Sequence, residues 1–221
     1  MTGRARDTAA YAAPFAAFVA FMAIEKSVFH SQHLYPLRCL AAVAALALFT
    51  RPIPPLRAVR PAGSIAVGIA VFAIWIAPDV LFGYRRHWLF DNPVLGAAAS
   101  TLASGEREGL WFLASRVLGS TLLVPVIEEL FWRGWLMRWL VGPDFTKVAL
   151  GTFTPLAFWG VALLFASEHG SYWEVGLAAG IVYNCWMLRT RSLADCILAH
   201  AVTNGALSAY VVFTGAWRYW L

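Results

Sequence analysis

The 221-residue chain is 60% hydrophobic and only 13% charged, with a mean hydropathy of +0.65. Soluble domains carry about twice that charged fraction, so a soluble globular fold is excluded and an all-α, polytopic membrane bundle is expected. The net charge of +5 comes without a basic run interleaved with aromatics. It argues against nucleic acid and for Lys and Arg gathered in cytoplasmic loops beside a lipid bilayer.

Apolar segments of about 20 residues are the unit to look for. The N-terminus has a basic start and no small-residue cleavage site, so its apolar stretch near 10–29 is read as a retained first span. A second span over 34–50 stops at RPIPPLRAVRP, and a third runs over 61–82. The polar stretch from 83 to 108 leaves room for a short interfacial helix. A long helical tract follows from about 109 to 140, interrupted at Pro125, with further spans near 153–168, 171–188 and 192–214. That makes seven apolar segments, or eight if Pro125 divides one, in a single integral membrane domain covering 1–221. The bias of basic residues places the N-terminus inside. Arg4, Arg6, Arg51, Arg57, Arg60, Arg138, Lys147, Arg189 and Arg191 are then cytoplasmic. Lys26, Arg38, Arg85, Arg86, Arg107 and Arg218 lie outside. Cys39, Cys185 and Cys196 have no CxxC or metal-type spacing and read as packing residues.

The stretch VPVIEELFWRGW, residues 124–135, sets Glu128, Glu129 and Arg133 among apolar neighbours. A charge at mid-bilayer costs about 2.5–3.5 kcal/mol on insertion scales, so such a cluster is read as functional. On a helix, Glu129 and Arg133 are four apart in the favourable acid-first order. Glu128 is turned about 100° away and is free to address a cavity. FASEHG places His169 four residues after Phe165, and ADCILAHAVTNGAL places His200 and Asn204 on one helical face. Each has a bland reading, as an ion pair, an interfacial residue or an interhelical hydrogen bond. Together they are the parts needed to hydrolyse an amide.

These three motifs resemble those of the CPBP family, the CAAX proteases and bacteriocin-processing enzymes, which are intramembrane glutamic endopeptidases. Its pattern of Glu-Glu-x-x-x-Arg, Phe-x-x-x-His and His-x-x-x-Asn stands here in order as EELFWR, FASEH and HAVTN. The similarity covers roughly 109–214, the expected protease core, while residues 1–100 hold spans without motifs. VIEELFWRGWLMRW and RTRSLADCILAHAVTN are similar to the CAAX-protease-related proteins that accompany exosortase systems. The resemblance implies a multi-pass protein of the bacterial inner membrane acting on a protein or peptide substrate, with exosortase-system proteins as partners.

Burial moves a carboxylate toward the range of a useful general base, and Glu128 is the expected base. His169 is expected to help hold the water, and Glu129 with Arg133 to set the geometry. His200 and Asn204 are expected to stabilise the oxyanion. No cofactor is expected. Zinc is the first alternative, but no H-E-x-x-H occurs and Arg133 disfavours a cation. A Cys196–His200 dyad is permitted by spacing, although it leaves the Glu-Glu-Arg cluster idle. Ser167 has no G-x-S-x-G around it. Outside enzymes, a scaffold or immunity-type protein that keeps the motifs for packing is the main alternative, ahead of a transporter. Glu168 and Glu174, flanking His169, are weighed as loop residues, Asn184 as an interhelical hydrogen bond, and Trp217 and Trp220 as interfacial anchors.

Overall fold

The computed structural model describes residues 3–29, 32–49, 53, 56–94, 99–100, 102 and 104–220. Arg51 and the side chains of Lys26 and Arg86 lie outside them. Seven main helices account for most of the chain: α1 Gly3–Ile24, α2 Tyr35–Phe49, α3 Pro61–Phe82, α4 Leu110–Trp139, α5 Pro155–Ser167, α6 Trp173–Thr190 and α7 Leu193–Thr214. The seven expected segments and these helices agree to within a turn or two at most ends, because hydropathy reports length and composition directly. A five-residue helix, Ser104–Glu108, stands in the polar stretch before α4.

Among the described residues four segments are both long and apolar enough to cross a bilayer: Gly3–Phe29, Pro61–Phe82, Leu110–Trp139 and Leu193–Thr214. The seven expected segments stand as seven helices, of which α2 and α5 are shorter apolar ones. Helices α2 and α5 have only 15 and 13 residues. At about 1.5 Å per residue each falls well short of a hydrocarbon core of about 30 Å.

Pro125 does not interrupt α4. The helix passes through it by widening, with π-helical stretches at Gly119–Leu123 and Leu130–Leu136 on either side of Val124–Glu129. Proline removes one N–H and crowds the carbonyl four residues back, and a wide turn just before it relieves both. Glu128 and Glu129 thus sit on the stretch of helix between two π segments, and Arg133 lies within the second.

Both ends of the bundle are tied by polar contacts. At one end Arg4 lies 3.8 Å from Asp144, and Arg138 Nε donates to the Val148 carbonyl at 2.8 Å. Here Asp195 accepts from the Val59 and Arg60 amides at 2.7 and 2.8 Å and from Ser64 Oγ at 2.8 Å. One carboxylate thereby pins the loop before α3 to the start of α7. At the opposite end Arg85 meets Glu174 at 2.6 Å, and Tyr84 donates to the same oxygen at 2.7 Å. Arg85 Nε and Arg218 Nε lie 3.8 and 3.5 Å from Asp79, which accepts from Tyr219 at 2.5 Å. Burial, helped by that bond, pushes the Tyr219 phenol up to about 12. Glu174 is therefore structural rather than free in its loop, and Trp220 is buried rather than an interfacial anchor. Arg38 is buried one turn into α2, 3.9 Å from Glu25.

Helices α3 and α7 touch at backbone distance. A Cβ on Gly68 would come within 2.4 Å of the Ala199 carbonyl oxygen, so no other residue fits without separating the helices. Thr203, one turn beyond Ala199, donates to the Gly68 carbonyl at 2.9 Å.

Candidate active site

Arg133 is fully buried, and its guanidinium is engaged on every side. Nη1 donates to Glu129 Oε1 at 3.0 Å, Nε to Asn184 Oδ1 at 3.0 Å, and Nη2 to the Gly180 carbonyl at 3.3 Å. The Phe165 ring lies 4.8 Å from its Cζ. Asn184 is itself fixed by donating to the Phe158 carbonyl at 2.8 Å. This buried cation is thus paired and hydrogen-bonded, the condition under which burial is tolerated. Asn184 is an interhelical hydrogen bond, as expected, and its acceptor is the one that orients Arg133. That link between α4 and α6 has no signal in the sequence.

Glu129 is also fully buried, and its Oε1 takes a second contact from His200 Nδ1 at 3.0 Å. His200 stacks on Tyr183, with centroids 5.1 Å apart and planes at 25°. Tyr183 donates to Thr203 at 2.7 Å. With Glu129 as the ionised partner of Arg133, His200 Nδ1 carries the proton. Its other nitrogen, Nε2, lies 4.0 Å from Glu128 Oε2. That oxygen is buried and has no hydrogen-bond partner within the protein.

His169 follows the same logic. It sits in the turn after α5, and its Nδ1 lies 2.7 Å from the Phe165 carbonyl, an acceptor only. Nδ1 therefore carries the proton here too. Trp75 and Phe165 flank the ring at 5.3 and 4.8 Å. Gly176 of α6 closes its remaining side, where a Cβ would come 3.0 Å from Nδ1. Asn204 donates one amide hydrogen to the Ser120 carbonyl at 2.9 Å and keeps a second.

Glu128, His169, His200 and Asn204 all line one cavity of about 260 Å³, near the lower edge of ordinary ligand sites of about 300–1,000 Å³. Glu129 and Arg133 stand behind it. The six residues singled out from sequence are thus brought together in two layers. Glu168 also lines the cavity, held by the Trp132 indole at 3.1 Å. Trp75, Tyr172 and Tyr219 are among its other wall residues, unmarked in the sequence because aromatic residues are common throughout this chain.

Two alternative chemistries lose their geometry. The Cys196 thiol is turned toward the Tyr183 carbonyl at 3.8 Å, while the proton-bearing nitrogen of His200 is committed to Glu129. Among the described residues no group of three His, Cys, Asp or Glu side chains is placed to hold a metal ion.

No curated protein and no solved structure matches the chain. Residues 110–206 match the family model described as type II CAAX prenyl endopeptidase Rce1-like, and this segment, which runs from the start of α4 into α7, contains all six residues of the two-layered site.

Proposed function

We propose that the chain is an intramembrane endopeptidase in which Glu128 activates the attacking water. What carries this reading is the separation of the paired carboxylates: Glu129 is bonded through Oε1 to both Arg133 and His200 behind the cavity, while Glu128 lines the cavity beside two imidazoles.

In the forward step Glu128 takes a proton from water as the oxygen attacks the peptide carbonyl carbon. The C–N bond then breaks, the proton passes from Glu128 to the leaving amine, and a carboxylic acid is left. No bound cofactor is needed. The tautomers assign the imidazoles more narrowly than the sequence does. With both Nδ1 atoms committed as donors, the neutral rings of His169 and His200 offer Nε2 as acceptors, suited to holding the water's hydrogens. His200 can donate to an oxyanion through Nε2 only as the imidazolium. The second amide hydrogen of Asn204 is the neutral donor for that role, typically worth about 2.7–4 kcal/mol.

The substrate class we infer is a membrane-associated protein, including proteins with C-terminal sorting signals handled by exosortase systems in a bacterial inner membrane. Co-expression with such candidate proteins tests this. Glu128→Gln should abolish cleavage by at least about 100-fold while the protein still accumulates in the membrane. Undiminished cleavage by that variant removes Glu128 as the base.

A further inference from the structure

Two arginines on the cavity wall have no part in the hydrolytic reading. Arg38 of α2 is 4% exposed and Arg116 of α4 is half-buried, and both line the cavity that holds Glu128. Their Cζ atoms lie 4.6 and 4.5 Å from the Tyr35 ring centroid, and Arg116 also lies 5.6 Å from the Trp220 ring. Anionic partners are scarce. Arg38 has Glu25 at a loose 3.9 Å, and Glu25 is also used by the Leu34 amide at 2.8 Å. Among the described residues no carboxylate lies within 4 Å of Arg116. Nε of each arginine is buried without a hydrogen-bond partner. Glu128 and Glu168 line the same cavity but make no ion pair with either arginine, so the two cations, Arg38 and Arg116, face only Glu25. That is costly in an apolar bundle unless an anion arrives. A planar guanidinium is matched by the two oxygens of a carboxylate or phosphate.

Their position relative to Glu128 is set by α4. Arg116, Ser120, Val124 and Glu128 follow at four-residue steps, and all four line the cavity. The wide turn Gly119–Leu123 lies within this run and helps keep the four-residue repeat on one face. Twelve residues at about 1.5 Å each separate the two ends of the stripe by about 18 Å. An extended peptide advances about 3.3 Å per residue, so about five residues cover that length, and fewer once the reach of the arginine is counted.

We propose that Arg38 and Arg116 form an anion subsite that takes a carboxylate of the peptide substrate, within about five residues of the bond cleaved at Glu128. The carboxylate is either the free C-terminus or an Asp or Glu side chain. This rests on the endopeptidase reading for the identity of the ligand, and its test separates the two.

The purified full chain in detergent micelles is given three fluorophore-labelled peptides of one apolar sequence. The first ends in a free carboxylate, the second in an amide, and the third in an amide with one internal Glu. Binding is measured by fluorescence anisotropy on Glu128→Gln protein, and kcat/KM on the unsubstituted chain. A carboxylate should strengthen binding at least about tenfold over the amide peptide, and Arg116→Gln should bring that ratio within about twofold. Arg116→Lys should keep part of it. The ratio is taken within one preparation, so a smaller folded fraction does not change it. Gain with the free terminus identifies the α-carboxylate, and gain with the internal Glu identifies a side chain. Equal binding of all three peptides, or a ratio that survives Arg116→Gln, overturns the subsite. So does Arg116-dependent binding of phosphatidylglycerol without any preference among the peptides, which assigns the anion to lipid. Carboxylate-dependent binding without cleavage leaves the subsite standing and removes the peptidase. Cleavage without carboxylate dependence does the reverse.

Discussion

The two adjacent glutamates differ in everything except residue type. Glu129 faces a guanidinium fixed by three acceptors, whereas Glu128, one position earlier, faces a cavity. The distinction depends on the shape of arginine. Arg133→Lys keeps the charge near Glu129 but cannot also reach Asn184 Oδ1 and the Gly180 carbonyl. Each buried acceptor left without a partner costs about 1–3 kcal/mol, so a clear loss of thermal stability in detergent is expected, with cleavage reduced alongside it. Cys196 offers the opposite expectation. Its thiol contacts only a backbone carbonyl, so Cys196→Ser should retain cleavage within about threefold in the same co-expression assay; loss of about 100-fold would restore the cysteine dyad. The pairing of Glu129 with Arg133 was legible in sequence, because four-residue spacing on a helix is local. The part played by Asn184 was not, because 51 residues separate it from Arg133 along the chain.

At the scale of elements, the site depends on how closely α3, α4 and α7 approach. Gly68 sets one of these distances, with the Ala199 carbonyl where a side chain would stand. His200 follows Ala199 directly, so moving α7 away from α3 also moves His200 from Glu129. Gly68→Ala should cost about 1–3 kcal/mol by overpacking and should lower cleavage more than its fall in protein level explains. Thermal melting and cleavage per folded protein check the two parts. Helix boundaries are readable from hydropathy, whereas the interruption expected at Pro125 is not found. The form of the helix there was not readable: the choice between a break and a pair of π turns is made by packing against α1, α2 and α7, not by proline alone.

For the molecule as a whole, the seven helices run between two ends of different electrostatic character. One end collects Arg4, Arg57, Arg60, Arg138, Lys147, Arg189 and Arg191. At the other, Arg38, Arg85 and Arg218 are each set against a carboxylate, Glu25, Asp79 or Glu174. The larger number of basic residues at the first end is the bias expected of a cytoplasmic face. His169 and the cavity belong to the opposite half, beside Tyr172 and Tyr219. Reporter fusions should therefore place the N-terminus inside and the C-terminus outside, with substrate reaching Glu128 from the outer side. A cytoplasmic location for both ends would reverse that inference.

Sequence alone determined the membrane class, the number and approximate bounds of the apolar helices, and the residue types available for chemistry. All three follow from local quantities: hydropathy over a window, and spacing along one helix. Tertiary structure decided which glutamate lines the cavity and which ring nitrogens are left uncommitted, and it placed Arg38 and Arg116 on the same cavity as Glu128. Those outcomes depend on contacts between helices distant in the chain. Hydrogen bonds and close backbone approach fix such contacts in three dimensions, and one-dimensional periodicity carries no record of them.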